Sequence, residues 1–267
     1  MDQVEEDPLV TRLSDLLSRH DVAIGDITSY APHVFEALCF MLFVRYYEEV
    51  GYRLEPRNLS DKVFKFRFST SGHPWNFSYF VAFRGNVESE ADVELFEIRH
   101  NQLVAGAWID DTKESDEDRA LFAVDIAVIE GESLPDSQPS DHKPRDRYWV
   151  KNDCLITFAE VKKLTAYPML LAQFLGSVHE IKPEFVRVGQ RRISRKFLQD
   201  RHLPPTLMTS SYITPGTKRV LRSFESRKLI VRVVEDVTGL PEEGLLSQLR
   251  PADGGQQASE IGAPVPF

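Results

Sequence analysis

The sequence predicts an α/β fold in which a mixed β-sheet core is flanked by helices, and three patterns lead to this prediction. Pro32 and Gly51 bound a run that is apolar at nearly every position from Val34 to Tyr47, which is typical of a long core helix. Residues 61–109 contain stretches of alternating apolar and polar side chains, as strands do. Residues 207–234 follow a strand–helix–strand order, which a parallel sheet edge requires.

Length and composition favour one large domain with short extensions. The chain has 267 residues, of which 42% are hydrophobic, and this is enough to bury a full core. Apolar positions at helical spacing predict an amphipathic helix over 8–20, within an N-terminal helical extension that we assign to 1–30. We assign 31–246 to the main domain and the polar, Gly-containing stretch 247–267 to a disordered tail.

Three features predict a cytoplasmic protein that does not enter a membrane. No apolar run approaches the ~20 residues that cross a bilayer. The acidic stretch Met1–Asp7 lacks the basic start and the apolar run of a signal peptide. The two cysteines, Cys39 and Cys154, lie in contexts that favour free thiols over a disulfide or a metal pair.

The middle of the chain is predicted to be rich in strands. Val63–Phe68 and Phe77–Arg84 are separated by a Gly- and Pro-containing break, which predicts a β-hairpin, and Val93–Trp108 predicts one or two further strands. The acids of Asp110–Asp118 lack the spacing of an EF-hand, so a solvated loop is preferred over a calcium site. Residues 131–149 are rich in Pro, Ser and Asp and predict another loop.

Two predicted strands carry charges in an otherwise apolar setting. Asp125 lies in the middle of the run 120–129, and Glu160 and Lys162 end the run 154–162. Side chains two residues apart in a strand project from the same face, so this carboxylate and this ammonium lie side by side. Two carboxylates on neighbouring strands suit a hard divalent cation, and the lysine would act beside it. The alternative is an ion pair without a chemical role.

At these residues the chain resembles a known superfamily. Asp125 followed by Glu160-Val161-Lys162 resembles the PD-(D/E)xK signature of the restriction-endonuclease-like nucleases. Val124 replaces the proline of the signature, and the polar segment 131–149 widens the gap between the two acids. The predicted order of elements over 32–235 agrees with the superfamily. The resemblance implies a restriction-endonuclease-like mixed sheet, with the N-terminal helix and the hairpin as elaborations.

The resemblance also implies a metal-dependent phosphodiesterase. Asp125 and Glu160 would bind Mg²⁺, for which Mn²⁺ can substitute, and the carbonyl oxygen of Val161 would be a third ligand. Lys162 would orient or deprotonate the attacking water, or neutralise charge in the transition state.

Two further residues match positions that superfamily members use at the site. Glu36 matches a glutamate from the first core helix, and Gln173 matches a glutamine from the helix after the lysine. Each has a plainer interpretation. Glu36 could be a half-exposed glutamate that is favoured near a helix start, and Gln173 could be a solvated helix residue.

One basic segment contrasts with the overall charge of −9. Between Lys182 and Arg232 there are thirteen Lys and Arg against three Asp and Glu, which indicates local binding of a polyanion. The predicted nucleic-acid contacts are Arg187, Arg191, Arg192, Arg195, Lys196, Lys218 and Arg219.

The sequence therefore predicts a Mg²⁺-dependent endonuclease, acting on DNA in restriction, phage defence, repair or mobile-element processing. The alternative is a catalytically silent nuclease-fold protein that serves as a nucleic-acid-binding or scaffold subunit of a larger complex. The sequence leaves open DNA against RNA, and a homodimer against a partner protein that supplies specificity. Zinc spacing, a P-loop, a dinucleotide fingerprint and a nucleophile elbow are absent from the sequence, which disfavours other enzyme classes.

Overall fold

The computed structural model describes residues 7–25, 30–84, 94–108, 120–143, 146–187 and 193–250, apart from the side chains of Arg84, Glu94, Leu95 and Arg195. The predictions for Met1–Glu6, loop 110–118, Arg191, Arg192 and the tail beyond Arg250 lie outside these ranges. Within them, no helix combines the length and apolar character needed to cross a membrane. Cys39 and Cys154 are both free thiols, as predicted.

The described chain contains six α-helices and nine strands. The helices are α1 (Pro8–Ser18), α2 (Ala31–Glu49), α3 (Pro168–Ile181), α4 (Arg195–Gln199), α5 (Pro215–Ser226) and α6 (Glu242–Leu249). The strands are β1 (Ala23–Ile24), β2 (Arg53–Arg57), β3 (Val63–Phe64), β4 (Tyr79–Arg84), β5 (Glu94–Ala105), β6 (Leu121–Glu130), β7 (Leu155–Thr165), β8 (Thr206–Ser211) and β9 (Arg232–Val234).

Seven strands form one mixed sheet in the order β2-β4-β5-β6-β7-β8-β9, and β1 pairs with β3 apart from it. Neighbouring strands from β2 to β7 are antiparallel. The pairs β7–β8 and β8–β9 are parallel. The predicted mixed sheet and its parallel edge are therefore confirmed.

Helices cover both faces of this sheet, as the sequence predicts. One apolar cluster joins α1, α2 and α6 to one face, and it includes Ile126 and Ala159. A second cluster joins α3 and α5 to the other face, and it includes Ala127 and Phe158. Consecutive residues belong to different clusters because successive strand side chains point to opposite faces.

Helix α2 is buried on all sides, which explains its nearly continuous apolar sequence. Proline at its first turn fixes φ where no intrahelical N–H bond is lost, and Gly51 follows its end with φ of +100°. From Val34 to Tyr47, the residues other than Glu36 and Arg45 are buried. The predicted core helix is confirmed, and Glu36 lies in its first half.

The predicted hairpin between Val63–Phe68 and Phe77–Arg84 is wrong. β4 pairs with β2 and β5, while β3 pairs with β1. Two hydrogen bonds still join the segments, since Ser78 N–H donates to the Lys65 carbonyl at 2.9 Å and Lys65 N–H donates to Ser78 Oγ at 3.0 Å. Alternation identifies an extended segment but does not specify the strand with which it pairs.

Polar contacts join the first and last described helices. Arg12 of α1 donates to the carbonyl oxygen of Val237 at 3.1 Å. Glu242 of α6 accepts hydrogen bonds from Arg19 at 3.0 Å and from Arg45 of α2 at 2.9 Å. We call these contacts the terminal clasp.

Helix α6 is not predicted from the sequence. Its last three residues, 247–249, belong to the segment that the sequence predicts to be disordered, so this prediction is wrong for them. Leu245, Leu246 and Leu249 are buried in the larger apolar cluster. Three leucines at helical spacing are enough to order this short segment against α2.

Candidate functional site

Two carboxylates lie where the ladder between β6 and β7 ends. The last cross-strand pair there is Ile126 with Ala159. The next residue on each strand is an acid, Asp125 on β6 and Glu160 on β7. Beyond this point the pairing of β6 with β7 ends, while β7 continues beside the parallel strand β8. The two acids therefore lie where β6 and β7 separate.

A lysine bridges the two acids. Lys162 Nζ lies 3.1 Å from Asp125 Oδ2 and 2.9 Å from Glu160 Oε2. The Val161 N–H also donates to Asp125 Oδ2, at 2.6 Å. The side chains of Asp125 and Glu160 are 18% and 12% exposed, and that of Lys162 is 36% exposed. We call these three side chains the Lys162 cluster.

Burial and mutual repulsion determine the charge of the cluster. Burial raises the pKa of Glu160, and nearby Asp125 raises it further, while Lys162 opposes both effects. Burial alone would lower the pKa of Lys162, but Glu160 and Asp125 raise it above its usual value. Lys162 is therefore a cation at neutral pH. A protonated amine cannot accept a proton, so this state supports charge neutralisation rather than general-base action.

Glu36 belongs to the same electrostatic site. Burial and the nearby negative charge of Asp125 raise the pKa of Glu36 to about 7, while a hydrogen bond with the Asn101 side chain and the charge of Lys162 oppose the rise. Three carboxylates and one ammonium thus interact, which leaves an excess of negative charge. The structure brings together Asp125, Glu160, Lys162 and Glu36 as the sequence analysis expects.

Asn101 is a site residue that the sequence did not predict. This residue has φ of +49° in the middle of β5, and the ladder pairs His100 with Ile126 and Gln102 with Val124 without pairing Asn101 to Asp125. The left-handed conformation, which asparagine tolerates better than most residues, interrupts the sheet beside Asp125. A signal was present, because residues 99–102 are four consecutive polar side chains inside a predicted strand, and all are buried.

Gln173 lies on α3, which packs on the sheet face opposite to that covered by α2. Its side chain is exposed on α3, and the buried face of α3 is formed by its apolar residues. No hydrogen bond or ion pair within the described ranges joins Gln173 to the Lys162 cluster. Its proposed role stays a prediction.

The predicted nucleic-acid contacts fall at two ends of the sheet. Lys218 and Arg219 are exposed on the first turns of α5, where Thr217 Oγ1 donates to the Ala166 carbonyl just after β7. Arg187 instead lies over the Trp108 ring at 4.1 Å.

The position of Arg187 follows from its neighbours. Trp108 Nε1 donates to the His179 carbonyl near the end of α3, and Asn152, just before β7, donates to the Ile181 carbonyl. This end is separated from Lys162 by the part of β7 between Leu155 and Lys162, on the order of 20 Å at about 3.3 Å per residue. Lys196 is exposed on α4, whose Arg195 side chain lies outside the described atoms.

The acids present suit a hard divalent cation. Within the part of the chain that the structure describes, their hydrogen bonds and ion pairs use one oxygen of each carboxylate, Asp125 Oδ2 and Glu160 Oε2. Oδ1 and Oε1 could therefore bind a cation, in addition to Glu36. Oxygen ligands of this kind are those that Mg²⁺ prefers. Among the described residues, no group of three or more His, Cys, Asp or Glu side chains is already gathered as a metal site.

Comparisons with known proteins give no assignment. No protein-family model matches the chain, and no curated protein matches it.

Proposed function

We propose that this protein is a Mg²⁺-dependent nuclease with the PD-(D/E)xK, restriction-endonuclease-like fold, which cleaves DNA. The observation that supports this proposal is the cluster itself. Asp125 and Glu160 lie side by side at the end of a strand pair, Lys162 bridges them, and Glu36 adds a third acid whose pKa is raised to about 7. A divalent cation would relieve the repulsion among these acids.

The chain's own residues would divide the chemical work. Asp125 and Glu160 would hold Mg²⁺ or Mn²⁺, together with the Val161 carbonyl oxygen. When bound, the metal polarises a phosphoryl oxygen and makes a bound water more acidic. Lys162, as a fixed cation, would stabilise the negative charge that develops on the phosphate. Glu36, whose pKa is near 7, could exchange a proton with the attacking water at physiological pH.

The DNA backbone would approach from the end of the sheet at which β7 and β8 finish. Lys218 and Arg219 are exposed there, and Lys163 is exposed immediately after the cluster. Tyr167, 43% exposed in the same connection, offers a ring for contact with a base. Arg187 is too distant to serve the same stretch of backbone. A cytoplasmic setting in restriction, phage defence, repair or mobile-element processing suits this activity.

A catalytically silent scaffold is the second candidate. It is favoured by one observation, namely that Lys162 already satisfies one oxygen of each acid, as a structural ion pair would. The two candidates differ in whether a divalent cation has any effect on the protein.

A cleavage assay tests the proposal. The protein is incubated with supercoiled plasmid, single-stranded DNA and RNA, each with Mg²⁺ or with EDTA. We expect Mg²⁺-dependent cleavage of DNA that EDTA abolishes and that Asp125→Asn removes. The matched control is Glu243→Gln, which changes an exposed acid on α6 outside the cluster and should leave cleavage unaffected. Absence of cleavage on every substrate, with Mg²⁺ failing to raise the thermal stability, would support the scaffold instead.

A further inference from the structure

A cleft lies on the edge of β5 that faces away from β6. Its volume is about 420 Å³, which is within the usual range of ligand sites. Leu103 of β5 forms its floor, and the segment 146–150 runs along this edge because Val150 N–H donates to the Leu103 carbonyl at 2.8 Å. Arg67 and residues 70–73 form the opposite wall.

The wall contains a buried cation that neutral groups hold in place. Arg67 is 2% exposed, and its guanidinium donates to Gln102 Oε1 at 2.8 Å and to the carbonyl oxygens of Ser69, Thr70 and Gly72 at 3.1, 2.6 and 3.1 Å. Burial and the nearby charge of Arg99 lower the pKa of Arg67 to about 10. No acid among the described residues forms an ion pair with it, so its positive charge is not neutralised.

These four hydrogen bonds leave one N–H of the guanidinium, on Nη1, for a ligand. Arg147 is exposed on the opposite wall and adds a second cation to the same cleft. Two cations on facing walls are suited to an anion between them, and a phosphate offers oxygens to both.

Aromatic rings form the rest of the cleft. His73 and Tyr148 line it, and each is supported from behind. His73 stacks on Trp75 with ring centres 4.6 Å apart and planes 9° apart, and the Tyr148 hydroxyl pairs with His142 Nδ1 at 3.0 Å. Trp75 also packs against Tyr148 at 5.0 Å, so the rings fix one another. His73 and Tyr148 lie edge to face, with ring centres 6.0 Å apart and planes 86° apart, so a nucleobase would stack on one ring and place its edge toward the other.

We propose that this cleft is a nucleotide-binding site, which holds a phosphate between Arg67 and Arg147 and a base against His73 and Tyr148. Asp146 also lines the cleft, and its carboxylate would accept a hydrogen bond from a sugar hydroxyl or from a base amino group. Its negative charge disfavours the additional phosphates of a triphosphate, so the ligand carries one phosphate.

The site is distinct from the Lys162 cluster. Arg67 contacts Gln102, the neighbour of Asn101, and Asn101 contacts Glu36. β5 therefore separates the cleft from Asp125. The nucleotide is either a free monophosphate or one unit of a strand that extends from the proposed cleavage site. The proposal does not require cleavage to occur.

Calorimetry with adenosine monophosphate tests the site. The full chain carries Asp125→Ala and is kept in EDTA, so that binding is measured without metal and without cleavage. We expect the monophosphate to bind at least tenfold more tightly than adenosine or inorganic phosphate, because only the monophosphate engages both the cations and the rings. Absence of heat at millimolar nucleotide, or equal binding of the three probes, would overturn the proposal.

Variants on the wall facing Arg67 test the location of the site. Arg67 itself is left unchanged, because its hydrogen bonds to the carbonyl oxygens of Ser69, Thr70 and Gly72 also stabilise the turn that follows it. Arg147→Ala and Tyr148→Leu should each weaken binding about tenfold, the effect expected for one charged hydrogen bond or one stacking ring. Tyr148→Phe keeps the ring and should bind as the parent does. Lys151→Ala removes an exposed cation outside the cleft and should also bind normally. Undiminished binding by both of the first two variants would place the nucleotide elsewhere and overturn the proposal.

Competition distinguishes the two sources of the nucleotide. If a short single-stranded oligonucleotide displaces adenosine monophosphate, and Tyr148→Leu weakens both, the site accepts a unit of a strand. If the oligonucleotide leaves the bound monophosphate in place, the site accepts a free nucleotide. A lack of cleavage in the separate plasmid assay would count against the nuclease and would leave this measurement unaffected.

Discussion

Two clusters on the same sheet each place one cation between two carboxylates, yet they differ in burial and in charge balance. In the Arg99 cluster, the guanidinium contacts Glu97 at 2.5 Å and Asp136 at 2.9 Å. The Tyr79 ring covers the guanidinium at 3.6 Å, and the side chain of Arg99 is 2% exposed. Each charged group is held by fixed hydrogen bonds, which is typical of a structural ion pair.

The Lys162 cluster also consists of one cation and two carboxylates, but its cation is more exposed. Lys162 is 36% exposed at the end of a strand pair, and its single ammonium replaces the forked guanidinium. Glu36 adds a third acid, so the site of the Lys162 cluster has one carboxylate more than the Arg99 cluster. The comparison indicates that an acid–cation cluster is functional when its cation is accessible and additional acids surround it, and structural when its cation is covered.

Removal of either acid from the Lys162 cluster should give the largest effect. We expect Asp125→Ala or Glu160→Ala to abolish Mg²⁺-dependent cleavage, because the metal loses a ligand that no neighbour replaces. Plasmid cleavage and far-ultraviolet circular dichroism measure activity and folding. Cleavage at the parent rate, or a spectrum that shows unfolding, would contradict this assignment.

Substitution of Arg99 should lower the stability of the folded protein. Arg99→Met leaves the buried Glu97 without its partner, so we expect a loss of about 3–5 kcal/mol in the free energy of unfolding. Urea denaturation measures it. Lys162→Met is the comparison and should lose less stability than Arg99→Met, because the Lys162 side chain is 36% exposed and that of Arg99 only 2%. Equal losses in the two variants would remove the distinction between the clusters.

The chemical role of Lys162 gives a smaller effect on activity. An ammonium does not bind a cation, so Lys162→Met should bind DNA in Ca²⁺ with nearly the parent affinity while its Mg²⁺ cleavage rate falls by at least ~10²-fold. Asp125→Ala should lose the part of the binding that depends on Ca²⁺. Normal cleavage by Lys162→Met would identify the lysine as a structural partner only.

Glu36 gives the cluster a pH dependence of stability. Its pKa is about 7 in the folded protein against an ordinary value of 4.5, so the folded state holds the proton more tightly. The stabilisation is complete below the ordinary value and is lost as pH rises through 7. After allowance for solvent screening, the loss is roughly 1–2 kcal/mol.

Thermal unfolding between acid and neutral pH tests this dependence. In EDTA, Glu36→Gln should flatten the curve, whereas Glu243→Gln, at an exposed position on α6, should not. Mg²⁺ should also flatten the curve of the parent protein, because a cation offsets the repulsion between Glu36 and Asp125. A parent curve that Mg²⁺ leaves unchanged would indicate that no metal binds at the cluster.

The smallest expected effect concerns the basic residues. Reversal of Lys218 and Arg219 to glutamate should reduce the salt slope of DNA binding by roughly 0.9 for each lost phosphate contact. Arg187→Glu is the matched control at the other end of β7 and should leave the slope unchanged. A larger change for Arg187 than for the other two would place the DNA at the opposite end of the sheet.

The sequence predicted the elements that local patterns specify. Proline and a continuous apolar run mark α2, and a single acid in an apolar run marks β6. The partner of β4 was not predictable in this way, because β2 contains Pro56 and charged residues and is recognisable as a strand only from its pairing with β4.

The candidate site likewise contains residues that the local sequence predicts and residues that it does not. The i, i+2 spacing of Glu160 and Lys162 was sufficient to predict their contact, and the superfamily resemblance was needed to include Glu36. Asn101 was missed because the polar run 99–102 marks an unusual strand segment but does not specify which of its residues has a positive φ angle or faces Glu36. The nucleotide cleft was missed because its walls are more than seventy residues apart in the chain.

The terminal clasp makes the two ends of the described chain depend on each other. Arg12 holds the turn before α6, and Glu242 holds both Arg19 and α2. A protease that cut between Val237 and Glu242 would therefore weaken the polar contacts that hold both α1 and α6. Both helices cover α2, so such a cut would expose the most apolar surface of the protein. An intact connection between Val237 and Glu242 thus keeps the apolar surface of α2 covered.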